Sequence, residues 1–141
     1  MQSDIKITTT IPREIIENIF ITAIEGGSNY WAYIDKIQWL IMEELSSDNM
    51  DVQNKMCDGG EIHAMVATIL DAKVDIEINC AENNDEVLGT LSVDTLKKRL
   101  QSLSNHDNYS RFLYAELNGE GDAESSDVIF QYLVLGEVIY G

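Results

Sequence analysis

The sequence predicts an α+β fold, a small and mainly antiparallel sheet packed with about four helices in a single domain spanning 1–141. Three observations predict it. Several stretches carry apolar residues at helical spacing, and one, Val74 to Cys80, alternates apolar with polar as a half-buried strand does. The chain is 141 residues long and 45% hydrophobic. At that size roughly 68–70% of the unfolded surface is buried on folding, enough for one core without staples.

The first helix is expected from about residue 11. Hydroxyls at Thr8 to Thr10 stand ready to cap it, Pro12 falls in its first turn, and Ile15, Ile16, Ile19, Phe20, Ala23 and Ile24 form its apolar face. Gly26 and Gly27 are expected to stop it in a left-handed terminal conformation. Trp31, Tyr33, Ile37, Trp39 and Ile41 then fall on odd positions, which reads as a strand over about 33–43. Asp35 interrupts that alternation and leaves a helix open for the same residues. Ile62, Met65, Val66, Ile69 and Leu70 predict a helix over 61–72, followed by the alternating strand. Ser92 caps a helix with Val93, Leu96, Leu100 and Leu103 along one stripe and Lys97, Lys98 and Arg99 facing away. A short helix over about 107–117 buries Phe112, Leu113 and Leu117. Asp122 caps the last helix, which uses Val128, Ile129, Tyr132, Leu133 and Leu135 and ends at Gly136, with Val138 to Tyr140 as a closing strand.

Nine Lys and Arg against 25 Asp and Glu leave a formal charge of −16. Nonspecific nucleic-acid binders neutralise phosphates with clustered bases, so direct DNA binding is excluded, and an anionic membrane surface is disfavoured likewise. Met1 to Thr10 have no basic stretch leading into an apolar one, and no apolar run reaches the ~20 residues of a membrane span. Cys57 and Cys80 read as free thiols of a reducing compartment.

Little in the chain points to catalysis. His63 lies near Cys57, Asp58 and Glu61, but the spacing is no zinc pattern and one Cys with one His falls short of a structural site. His106, beside Asp107 and Asn108, reads as a loop or cap residue. No nucleophile elbow or phosphate loop is present. Glu43 with Glu44, Asp75 with Glu77, and Asp85 with Glu86 read as solvated surface. No catalytic residue, metal or cofactor is expected.

Two stretches remain as candidate sites. Glu25, Gly26, Gly27, Ser28, Asn29, Tyr30 and Trp31 combine flexible backbone, small polar groups and two aromatics. They suit either a pocket that takes an anion on backbone N–H groups and stacks a base, or a helix end leading into core aromatics. Glu116, Glu120, Asp122, Glu124 and Asp127 lie together without a base among them. They form either an acidic partner surface or a solvated face that in part complements the dipole of the last helix.

Thr22 to Trp31 (TAIEGGSNYW) and Asp127 to Gly141 (DVIFQYLVLGEVIYG) together resemble a family of small uncharacterised proteins of tailed bacteriophages and prophages. That family brings no catalytic residues to carry over. Both pieces are a helix ending in glycine followed by an aromatic-bearing extended segment, so they are expected to pack side by side with Tyr140 near Tyr30 or Trp31. Such packing makes either a core corner or one composite pocket.

The resemblance and the charge imply a non-enzymatic phage accessory protein of the host bacterial cytoplasm. The expected role is an anti-defence inhibitor, of the anti-CRISPR or anti-restriction type, whose acidic surface engages a host defence protein or its nucleic-acid groove. Two alternatives stand beside it: an oligomeric sponge for a small nucleotide signal, and a virion or assembly component. A homo-oligomer is the expected state.

Overall fold

The structure, a computed structural model, describes residues 10–57 and 60–141. Helix α1 (Arg13–Thr22) begins at Pro12, whose extended backbone (φ −62°, ψ 144°) makes it the cap itself, with no side-chain cap bond. The Pro12 carbonyl accepts from Ile15 and Ile16 N–H instead of Thr10 capping the helix, and Thr8 and Thr9 lie outside the described residues. Ile19 and Phe20 point into the core.

Gly26 and Gly27 do not end this helix in left-handed geometry, since neither has a positive φ. The chain widens into a π turn (Ala23–Gly27), closed by the Ser28 N–H on the Ala23 carbonyl at 2.7 Å. Gly27 is needed for approach: a Cβ there would stand 2.9 Å from the Ala123 carbonyl oxygen.

The strand expected over 33–43 is instead a two-residue strand and a helix. β1 is Ala32–Tyr33 and α2 is Lys36–Leu45. Asp35, the residue that broke the alternation, is the N-cap, accepting from the Ile37 N–H at 3.2 Å. Gln38 and Met42, four apart, face inward, and Ile37 and Leu40 are left exposed. Gln38 earns its buried place by accepting the Glu77 N–H at 3.1 Å, standing in for a strand partner beyond the end of β1.

Helix α3 (Met50–Cys57) has no counterpart in the sequence pattern, because Val52 is its one buried residue. Asn49 Oδ1 starts it, accepting from Asp51 and Val52 N–H. The expected helix over 61–72 is α4 (Glu61–Leu70), buried from Ile62 to Ile69 except at His63. β2 (Ile76–Cys80) and β3 (Val87–Leu91) complete an antiparallel sheet of order β1-β2-β3. A register shift between Ile78 and Asn79 turns Asn79 inward beside Ile78.

Helix α5 (Val93–Ser104) has its Ser92 cap, with Ser92 Oγ accepting from Thr95 N–H at 3.1 Å. Arg99 does not face away. Its Nη1 donates to the carbonyls of Tyr132 and Leu133, at 3.1 and 3.4 Å, near the end of the last helix, where a cation meets the negative end of the helix dipole. In α6 (Ser110–Leu117) Leu113 is buried, and Phe112 and Leu117 are partly so.

Helix α7 (Ala123–Leu135) runs through the middle of the molecule, touching α1, the π turn, β3, α5 and α6. It starts on a reciprocal capping box between Asp122 and Ser125 and ends at Gly136, left-handed at φ 79°. Val138 to Tyr140 form no strand; a side chain of α7 holds them, as described below.

The α+β class and antiparallel sheet are as expected, and the described residues form seven α-helices, more than the pattern indicates. No helix among them is long and apolar enough to cross a membrane.

Candidate functional site

The two distinctive stretches meet at the carboxylate of Asp127, in the early part of α7. Its Oδ1 accepts from Ser28 Oγ and from the Trp31 indole Nε1, both at 2.8 Å. Its Oδ2 accepts from the Tyr30 hydroxyl at 2.7 Å and from Gln131 Nε2 at 3.2 Å. The π turn delivers Ser28 fully buried, and Trp31 follows it at 3% exposure. Such charge-assisted bonds, on donors that burial removes from water, tie the end of α1 to the start of α7.

Gln131, one turn after Asp127 and fully buried, clamps the C-terminal segment. Its Oε1 accepts the N–H groups of Ile139 and Tyr140 at 2.9 and 2.8 Å, and its Nε2 donates to the Tyr140 carbonyl at 3.1 Å. The Tyr140 ring therefore stacks on Trp31, centroids 5.5 Å apart and planes 14° from parallel, and meets Tyr30 edge-on at 6.4 Å. The expected meeting of Tyr140 with Tyr30 and Trp31 is present. It makes a packed corner in which the polar groups satisfy one another.

Tyr30 is the half-exposed member, and its phenol is pushed up to about 12. Desolvation is the main cause, followed by donation to Asp127 and by the negative charge of that carboxylate. The folded protein keeps this proton between its ordinary 10.0 and about 12, where the unfolded chain gives it up. Stability from this group is thus complete below pH 10 and falls as pH rises through that window. In an absorbance titration at alkaline pH, Tyr30 is expected to contribute a late phase that Tyr30→Phe removes. A titration curve whose late part is unchanged by Tyr30→Phe would refute the bond.

Part of the backbone in and next to residues 25–31 is engaged within the turn itself. The N–H groups of Ser28, Trp31 and Ala32 all bond carbonyls of their own turn. Glu25 and Gly26 are exposed and take no part in the corner. Ser28 and the exposed Asn29 do border an open cleft of about 420 Å³ on the other side of the turn. Its wall mixes Tyr33, Ile34 and Trp39 with polar Ser28 and Asn29, and the β2–β3 turn contributes Ala81 and Asn84.

The stretch from Glu116 to Asp127 divides. Glu116 is buried, taking the hydroxyls of Ser125 and Ser126 on Oε1 at 2.8 Å each, and Asp127 is engaged in the corner. Neither belongs to an open acidic surface, because the start of α7 draws both carboxylates inward as acceptors. Glu120, Asp122 and Glu124 are exposed.

His63 Nδ1 lies 2.9 Å from Glu17 Oε2, a buried carboxylate that also has Lys55 Nζ at 3.6 Å. Asp58 lies outside the described residues, and no group of three or more His, Cys, Asp or Glu among them could hold a metal ion. His106 is a cap: Nδ1 accepts from Asn108 and Tyr109 N–H ahead of α6.

Sequence reasoning missed the roles of Gln131, Tyr33, Trp39 and Asn84. For Gln131 a signal exists, a lone polar residue inside the apolar run Val128 to Leu135, four places after Asp127. Trp39 reaches the cleft because α2 is a helix, and Tyr33 and Asn84 reach it through the pairing of β1 with β2 and the β2–β3 turn. No protein-family model, curated protein or solved structure matches the chain.

Proposed function

We propose that the chain is a non-enzymatic accessory protein of a tailed bacteriophage or prophage. In the host cytoplasm it inhibits a defence protein, of the restriction or CRISPR type, by laying an acidic surface into the groove that takes nucleic acid. One observation carries the reading, namely how the charge is distributed. Four cations are engaged within the fold, Arg13 with Asp71 at 2.7 Å, Lys55 with Glu17, Arg99 with the end of α7 and Arg111 over Phe112, while Lys36, Lys73, Lys97 and Lys98 are exposed. Carboxylates such as Glu43, Glu44, Glu82, Asp85, Glu86, Glu120 and Glu124 stay exposed. The outward field is strongly negative, as a competitor of duplex DNA requires.

Two further carboxylates are taken up by the fold. Asp127 and Glu116 accept structural hydrogen bonds, which leaves them committed to architecture.

The test is competition on a purified DNA-binding defence complex. Duplex DNA is expected to displace the protein. Affinity is expected to fall by roughly tenfold or more as salt rises from low to physiological strength. Glu120→Lys with Glu124→Lys weakens binding further. Binding that is indifferent to salt, or that persists on a complex already filled with DNA, overturns the reading. So does a thermal shift with cyclic dinucleotides that matches the effect of a bound signal.

A further inference from the structure

The cleft beside the corner has a composition that selects its occupant. Trp39 and Tyr33 present aromatic surface, both partly exposed, with Asn29 and Asn84 at the edge. The loops that frame it are acidic. Ala81 and Asn84 line the cleft, and Glu82, Asp85 and Glu86 in the same turn are exposed, as is Glu25 on the opposite loop. The frame is well held, since Ala81 N–H donates to the Trp31 carbonyl at 2.9 Å and Cys80 N–H to the Glu86 carbonyl at 2.8 Å.

A second observation lies behind two of the lining residues. Asn79 is 6% exposed and pairs across the sheet with Tyr33. Its Nδ2 donates to the Asn84 carbonyl at 2.7 Å, and its Oδ1 is buried with no partner. This amide braces the turn from behind the cleft, and its Oδ1, out of reach of solvent, is not part of the cleft lining.

We infer that this cleft is the anchor site for an arginine side chain of the basic partner protein. This inference rests on the proposed binding of such a partner and names the group it inserts. A guanidinium is planar and stacks on aromatic faces, carries several donors in a fixed fork, and is less strongly hydrated than an ammonium. The aromatic wall receives its face, the asparagines its donors, and the acids of the β2–β3 turn and Glu25 its charge. Arginine, tryptophan and tyrosine are also the residue types enriched among interface hot spots.

The test uses blocked tripeptides, Gly-Arg-Gly with its lysine and citrulline counterparts, titrated into the intact protein. The indole resonances and tryptophan fluorescence report binding. The arginine peptide is expected to bind saturably and to move the Trp39 indole but not that of Trp31. Lysine binds more weakly, on the order of threefold, and citrulline, neutral and of the same shape, does not bind measurably. Trp39→Leu abolishes the response. The variant Glu82→Gln/Asp85→Asn/Glu86→Gln, confined to exposed residues, weakens arginine binding by about tenfold at unchanged unfolding midpoint. Equal binding of citrulline, or indifference to the triple neutralisation, overturns the inference. Failure of the peptides with salt-sensitive binding of the defence complex intact overturns the anchor alone. Peptide binding without any competition against DNA overturns the groove reading and leaves the anchor standing.

Discussion

Replacing Asp127 with alanine is expected to lower the free energy of unfolding by about 4 kcal/mol. The substitution removes the acceptor of Ser28 Oγ, Tyr30 OH, Trp31 Nε1 and Gln131 Nε2 together, three of them on residues almost fully buried. Hydrogen bonds to a charged group contribute about 1.5–3 kcal/mol each, and shared acceptors make them less than additive. Asp127→Asn is expected to lose about half as much, because one side of the amide then presents N–H groups to donors. Urea denaturation measures both. Glu124→Ala, three residues earlier and exposed, is the control and stays within ~0.5 kcal/mol. A loss at Asp127 no larger than the control would mean that the carboxylate does not join the two ends of the chain.

Gly89→Ala is expected to cost about 3 kcal/mol for a reason of space alone. β3 passes so close to the end of α7 that a Cβ at Gly89 would overlap the Val134 carbonyl oxygen and lie 3.0 Å from Val134 Cγ1. The obstacle is backbone in the central helix, so no flexible side chain can give way. Gly26→Ala is the contrasting case, with nothing within 4 Å of the new atom, and its effect stays within ~0.5 kcal/mol. Thermal unfolding of the two variants separates a glycine required by close approach from one that is not.

How far these features were legible in the residues depends on what holds each element. α5 is periodic because one face of it packs on the core, α4 and α7 show as apolar runs because they are buried nearly all round, and β2 alternates because one side of it is buried. α2 misleads because two of its apolar residues, Ile37 and Leu40, face solvent while Gln38 is inside. Its cap, Asp35, and its buried amide carry the information that the apolar pattern lacks. β3 is short and holds Gly89 where a packing side chain would otherwise mark it. The π turn has no sequence pattern of its own, yet it is what aims Ser28 at Asp127.

At the site, the meeting of Tyr30, Trp31 and Tyr140 follows from two similar helix-to-extended pieces that both need cover for their aromatics. Its anchor does not follow from that pattern. Asp127 sits among other acids in the sequence, and only the arrangement of donors around it sets it apart from Glu120 and Glu124.

That distinction, between carboxylates that build the fold and carboxylates left to meet a partner, is tested most directly by amide and indole hydrogen exchange. The indole N–H of Trp31, buried and bonded to Asp127, is expected to exchange only on global unfolding. The indole N–H of Trp39, in the wall of the cleft, is expected to exchange far faster. Protection of Trp31 with exchange of Trp39 supports a closed corner beside an open cleft. Rapid exchange at Trp31, as fast as at Trp39, would contradict it.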